Sequence, residues 1–277
     1  MFVVSEPRAS ETPVVVEVPH AGTRVPPEFA NELLAPARAI ARDADLFVDE
    51  LYAAACDEGA TLIVSRVSRY VVDLNRAETD VDAETVVGAP AAPRAPRGVV
   101  WRLTTDNERS LAAPLTRAQL EARLDGIWRP YHAALAAAIH AKMNRFGVCV
   151  LLAAHSMPSI GRTGHGDTNV QRADVVPGTQ GRTTAHAALI DTVERHAETA
   201  GLSVRHDEPY RGGFTTRHWG RPSQGIHAVQ VEIARRLYMD EAALVRGQAF
   251  GAVQKFALEL VRKLGITGAA LARPHRA

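Results

Sequence analysis

The stretch TPVVVEVPHAGTRVPPEF, Thr12 to Phe29, decides how this chain is read. Val14, Val15, Val16 and Val18 have the β-branched density of a strand buried in a sheet. The run then breaks into Pro19-His20-Ala21-Gly22, a sharp turn. Open α/β sheets place their ligands at that end of a strand. His20 is therefore either an imidazole presented to a site or one that hydrogen-bonds a neighbouring loop, and the stretch alone allows both.

Working outward, the same pattern returns. VCVLLAAHSMP (148–158) is a second buried strand carrying a histidine, His155, near its end, and IHAVQVEIARRLYM (226–239) passes from strand into helical residues. ATLIVSRVSRYVVDLNR (60–76) holds two apolar runs, around Leu62–Val64 and Tyr70–Leu74, the second running into polar groups. Between these lie helical stretches. RDADLFVDELYAAACDEG (42–59) puts Leu46, Val48, Leu51, Tyr52 and Ala55 on one side of a helix that stops at Gly59. Residues 114–147 read as a long helix with Thr116 as N-cap, a kink or break at Pro130 and a stop at Gly147. Residues 184–201 are a further helix. Alternating strands and helices predict one α/β domain over 1–277, with a mainly parallel sheet covered on both faces. The Pro-, Ala- and Gly-rich segment 81–98 reads as a surface loop or flap, with 88–98 as its lid-like part.

Composition excludes several functions. With 32 Lys plus Arg against 31 Asp plus Glu, bulk charge recommends neither nucleic acid nor a membrane surface as partner. Cys56 and Cys149 lack metal-finger spacing and read as buried thiols of a reducing compartment. The start has no basic region followed by an apolar core, and no apolar run spans a bilayer, so a soluble cytoplasmic protein is expected.

Four apolar runs, each read as a strand, deliver functional groups: His20; Asp73, Asn75 and Arg76; His155 and Ser156; Gln230 and Glu232. Two neutral imidazoles with one carboxylate suit zinc and leave a coordination position open. Such an ion acidifies water and polarises a carbonyl, a further carboxylate can move the proton, and a guanidinium fits a substrate carboxylate. Singly, each residue also has a plainer use: an Asp or Asn capping a turn, Arg76 in an ion pair, Glu232 facing solvent. Serine catalysis has no Gly-x-Ser-x-Gly elbow, and Ser156 points to the face opposite His155. Gly-x-Gly-x-x-Gly and P-loop patterns are also missing.

VPHAGTRVP, RDADLFVDELY, SRYVVDLNR, VVWRLTT, WRPYHAAL, AAHSMPS, YRGGFTTRHWG and GIHAVQVEIARRLYMDE occur in this order between Val14 and Glu241. Together they resemble the N-formylglutamate amidohydrolase (deformylase) family. The resemblance implies a single central mixed sheet between helices, of the phosphorylase/hydrolase and zinc-exopeptidase type. It also implies hydrolysis of N-formyl-L-glutamate to formate and glutamate, late in one route of histidine degradation. His20 and His155 are implied as ligands of Zn2+ or another divalent metal. The carboxylate ligand falls to Asp45 or Asp49, with Asp43 a weaker third choice, because Thr23 stands where zinc carboxypeptidases carry a glutamate. Glu232 is implied as general base, Asn75 and Arg76 as holders of a substrate carboxylate, and Arg217 and His218 as further pocket groups; Arg69 is read as structural. Two positions depart from the family pattern: Ala153 and Thr179 stand where acids are common. The partner implied is a small acidic N-acyl amino acid. Hydrolysis of another N-acyl amino acid or small peptide, or metal-free binding on the same fold, are the alternative readings.

Overall fold

The computed structural model describes residues 1–91 and 96–272. Six strands, β1 (Phe2–Ser5), β2 (Val14–Val18), β3 (Thr61–Ser65), β4 (Cys149–Met157), β5 (Val175–Gly178) and β6 (Ile226–Ala234), form one sheet in the order β1-β3-β2-β4-β6-β5. The four central strands are parallel, and β1 and β5 flank them antiparallel. This is the mixed, mainly parallel sheet expected.

The helices are α1 (Pro27–Ala30), α2 (Ala37–Asp43), α3 (Val48–Leu51), α4 (Arg117–Arg123), α5 (Arg129–Phe146), α6 (Ala187–Thr199), α7 (Phe214–Trp219) and α8 (Phe250–Ala270). Alternation along each strand sorts the core into two layers. Val14, Val16, Val150, Leu152, Val229 and Val231 face α3, α6 and α8. Val15, Ile63, Leu151 and Ala228 face α4 and α5. Fully burying one such side chain is worth about 1.5–3 kcal/mol. Both faces are covered, so the central strands read as continuous apolar runs.

Three local readings are corrected. The stretch 42–59 is not one helix: α2 ends at Asp43, Ala44 is extended, and Phe47 takes φ 67° before the single turn of α3. Asp45 and Asp49 therefore share no helix face; tertiary contacts to the Asp45 carboxylate hold the chain open there. The run Tyr70–Leu74 is not a strand but a buried turn, in which Asp73 accepts a hydrogen bond from the Asn75 N–H at 2.8 Å. Pro130 does not break its helix, because a π-turn over Leu124–Trp128 absorbs the disturbance and α5 continues to Gly147 at φ 67°. Thr116 caps α4 as expected, in a reciprocal capping box with Gln119. In the flap 88–98, residues 92–95 lie outside the described residues.

Candidate active site

The carboxyl ends of the parallel strands open onto a cavity of about 530 Å³, a size suited to a small ligand. His20 enters it just past β2. Its turn packs against the Arg66 backbone so closely that a Cβ on Gly22 would lie 2.3 Å from the Arg66 carbonyl carbon, which explains the small residue. His155 sits near the end of β4, and its rung partner on β6 is Glu232. Asp45 projects from the break between α2 and α3.

His20, Asp45 and His155 are buried and place three ligand atoms within 4.8 Å of one another, the one such group among the described residues. The Asp45 Oδ2 lies 3.0 Å from His155 Nδ1 and 3.7 Å from His20 Nδ1. His20 donates its other ring nitrogen, Nε2, to Asp73 at 2.7 Å, while its buried Nδ1 has no hydrogen-bond partner. An orphaned imidazole nitrogen facing a carboxylate and a second imidazole, with its far side oriented by a carboxylate, fits a divalent cation. Asp49 is elsewhere, pairing with Arg66 at 2.7 Å near the surface. Asp43 is consumed by Tyr70, Thr105 and Arg162, the last at 2.6 Å.

Burial opposes the charge on Asp45, but the hydrogen bond from His155 and the nearby His20 ring outweigh it and hold its carboxyl well below the usual range. Burial likewise opposes ionisation of Asp73, and Arg69 followed by His20 overcomes it. Burial lowers His155, yet Asp45 and Glu232 carry it above the ordinary imidazole value. Glu232 goes the other way: burial pushes its carboxyl up to about 7, against the attraction of His155. Two carboxyls on neighbouring elements are thus driven apart, one fixed as an anion and one poised to exchange a proton.

The remaining expected residues divide. Arg76 lines the cavity and is held by the carbonyls of Arg97 at 2.9 Å and Asn75 at 3.0 Å. Arg217 lines it from α7 with its side chain exposed. His218 is exposed, stacks on Phe214 with centroids 5.2 Å apart, and is not among the described residues lining the cavity. Asn75 reaches the site, but its amide is committed: Oδ1 accepts from the Thr215 N–H at 3.0 Å, and Nδ2 donates to Gln230 at 3.2 Å and to His155 Nε2 at 3.3 Å.

Sequence reasoning named Asp73 without assigning it a role, read Arg69 as structural, and missed Trp101 and Arg235. Asp73 and Arg69, paired at 2.9 Å, fix His20 from behind, with Trp101 donating to Asp73 at 2.9 Å. Arg235, just past β6, bonds Asp45 Oδ1 at 3.2 Å and Ser156 at 3.2 Å. The i,i+4 spacing of Arg69 and Asp73, and the placement of Arg235 directly after a strand, were the available signals.

The model of the N-formylglutamate amidohydrolase family matches residues 12–239. The chain belongs to that family. An N-formylglutamate deformylase of Pseudomonas aeruginosa is 32% identical over 241 residues, covering 85% of each chain. The enzyme of that name from Pseudomonas putida is 31% identical, covering 83% of this chain and 82% of the relative. The crystal structure of N-formylglutamate amidohydrolase from Ralstonia eutropha JMP134 superimposes with a TM-score of 0.86 at 30% identity, covering 96% of this chain and 97% of that one. A gene product of Agrobacterium tumefaciens shares the fold, with a TM-score of 0.64 at 21% identity. Family membership makes this protein a hydrolase of a linear amide. In this amidohydrolase the two departures have defined surroundings. Ala153 lies in one rung between Glu17 of β2 and Gln230 of β6, so a carboxyl does stand in that layer, on the next strand. Thr179 bonds His206 at 2.7 Å and accepts from the Arg182 N–H, and among the described residues it is its neighbour Gln180, not Thr179, that lines the cavity.

Proposed function

We propose that the protein hydrolyses the N-formyl amide of N-formyl-L-glutamate, as one α/β hydrolytic domain, with a divalent cation, best zinc, held by His20, Asp45 and His155. The observation that carries this reading is the rung His155–Glu232, which sets a buried carboxyl beside the candidate ligand set. When bound, the cation supplies Lewis acidity toward the formyl carbonyl and water.

The protein's own residues supply the rest. Glu232 accepts a proton from water and returns it to the departing amine of glutamate, a role that suits a carboxyl near neutrality. Arg76 and Arg217 hold the two substrate carboxylates. Among the described residues the lining holds seven arginines against four carboxylates, a balance that favours a dianion. Asp73, Arg69 and Trp101 keep His20 in one ring orientation, and Arg235 does the same for Asp45. Among the described residues no helix is long and apolar enough to cross a membrane, which accords with a small soluble substrate.

The test is formate release from N-formyl-L-glutamate by purified protein, before and after chelation and zinc restoration. Metal-dependent release is expected. Metal binding without release from this substrate, but with release from another N-acyl amino acid, would move the substrate assignment. Release unaffected by complete metal removal would overturn the metal assignment.

A further inference from the structure

Behind the ligand set lies a chain of amides. Two backbone donors from the segment entering α7 determine its direction. The Thr215 N–H donates to Asn75 Oδ1 at 3.0 Å, so Asn75 must turn its Nδ2 toward Gln230 Oε1, at 3.2 Å, and toward His155 Nε2, at 3.3 Å. The Gly213 N–H donates to the same Gln230 oxygen at 2.8 Å. Gln230 is thereby obliged to turn its Nε2 toward Glu232, whose Oε1 it meets at 2.8 Å. Neither amide can flip without setting donor against donor. Asn75 and Gln230 are each 4% exposed and Glu232 5%, so solvent provides no substitute partners. Space is equally constrained: a Cβ on Gly213 would fall 2.1 Å from Asn75 Nδ2. Among the described residues no other hydrogen bond reaches the Glu232 carboxylate.

We propose that Gln230 is a positioning residue for the reaction: clamped by Asn75 and the Gly213 N–H, it fixes one oxygen of Glu232 so that the other is presented to the reacting water. This rests on the reading of Glu232 as the base. It also reassigns Asn75 from substrate contact to support of Gln230. Gln230 and Glu232 are two residues apart on β6 and so share a face, which lets an amide on the strand aim a carboxylate on the same strand. A misplaced reacting group costs roughly 100-fold in rate, so the clamp acts on turnover and not on substrate affinity.

The experiment compares the zinc-loaded parent with Gln230→Met, which keeps length and volume but removes the amide oxygen and NH2, and with Gln230→Asn, a milder change that withdraws the amide by one methylene. The expected result is a fall in kcat of roughly 10- to 100-fold with KM held within about threefold and zinc content per chain unchanged. In a Glu232→Gln background, adding Gln230→Met should cost less than about threefold, because the residue acts only through Glu232. A kcat within about threefold of the parent in folded, zinc-loaded variants, a rise in KM alone, or a full additive loss in the Glu232→Gln background overturns the proposal. The two failures separate cleanly. If Glu232→Gln turns over normally, the base reading falls and this proposal with it. If Glu232→Gln is inactive while both Gln230 variants are normal, the positioning role alone is lost.

Discussion

The Asp73 carboxylate meets the His20 Nε2–H at 2.7 Å on the side of the ring turned away from Asp45, with both groups buried. A ring held in this way offers its other nitrogen in a single direction and with raised basicity. Asp73→Asn keeps the shape and removes the charge. It should weaken zinc binding by roughly 10- to 100-fold, read by competition with a chelator of known affinity. Unchanged affinity would show that His20 needs no orienting anion.

Asp45 and Asp49 are four residues apart, yet only Asp45 belongs to the buried cluster. Asp45→Ala should abolish stoichiometric metal binding. Asp49→Ala should leave it intact and, because its Arg66 partner is about half exposed, shift stability by no more than about 1 kcal/mol. Metal content after gel filtration, measured beside thermal melts, decides between them; retention of metal by Asp45→Ala would return the carboxylate role to another residue.

Arg217 is exposed and lines the cavity, so its removal should cost substrate binding without costing the fold. A hydrogen bond to a charged group is worth about 1.5–3 kcal/mol, so KM for N-formylglutamate should rise roughly 10- to 100-fold in Arg217→Ala with little change in melting temperature. The decisive comparison uses N-formylglutamine. If Arg217 holds the side-chain carboxylate, the parent's preference for the acid over the amide should shrink in the variant; an unchanged preference would place Arg217 elsewhere.

Glu17 is a fully buried carboxyl on a central strand, with Tyr131 donating to it at 3.3 Å and its Oε1 without a partner. Burial raises its proton affinity above the ordinary glutamate value. The native state therefore keeps this proton at pH values where the unfolded chain has released it. The stability tied to that proton is complete below the ordinary glutamate range and is lost as pH rises through the native value. Glu17→Gln cannot ionise, so its unfolding free energy relative to the parent should improve from pH 5 to pH 8, measured by urea titration at each pH. A flat difference over that range would mean that Glu17 is already an ion in the folded protein.

Gly213 has φ −89°, so alanine is not barred by backbone conformation there. The obstacle is the Asn75 amide. Gly213→Ala should therefore lower kcat while preserving bound zinc, and normal turnover would show that the Asn75 amide can yield without moving the site.

The residues readable from sequence are those whose local pattern and final role coincide. The valines of β2 and the run ending at His155 announce buried strands, and Thr116 and Gly147 announce helix ends, because in each case nothing distant overrules the local preference. Asp45 is different. The apolar spacing of 42–59 favours a continuous helix, but contacts from His155 and Arg235 pull the carboxylate inward and the chain opens at Ala44 and Phe47. Tyr70–Leu74 carries strand composition and becomes a turn because the Asp73 side chain takes over backbone hydrogen bonding. The Asn75–Gln230 contact joins residues 155 apart in sequence, and no local pattern signals such a pair.

The strand order has a consequence for how the protein is made. β6 comes later in the chain than the other five strands, yet it lies between β4 and β5. Until Ile226–Ala234 has left the ribosome, β4 keeps a free hydrogen-bonding edge and β5 has no place in the sheet. His20, Asp45 and His155 are all synthesised before Glu232. A nascent chain can thus gather His20, Asp45 and His155 before it has Glu232. Insertion of one strand into the middle of the sheet is the event that both seals the exposed edge and completes the cavity wall beside those three residues.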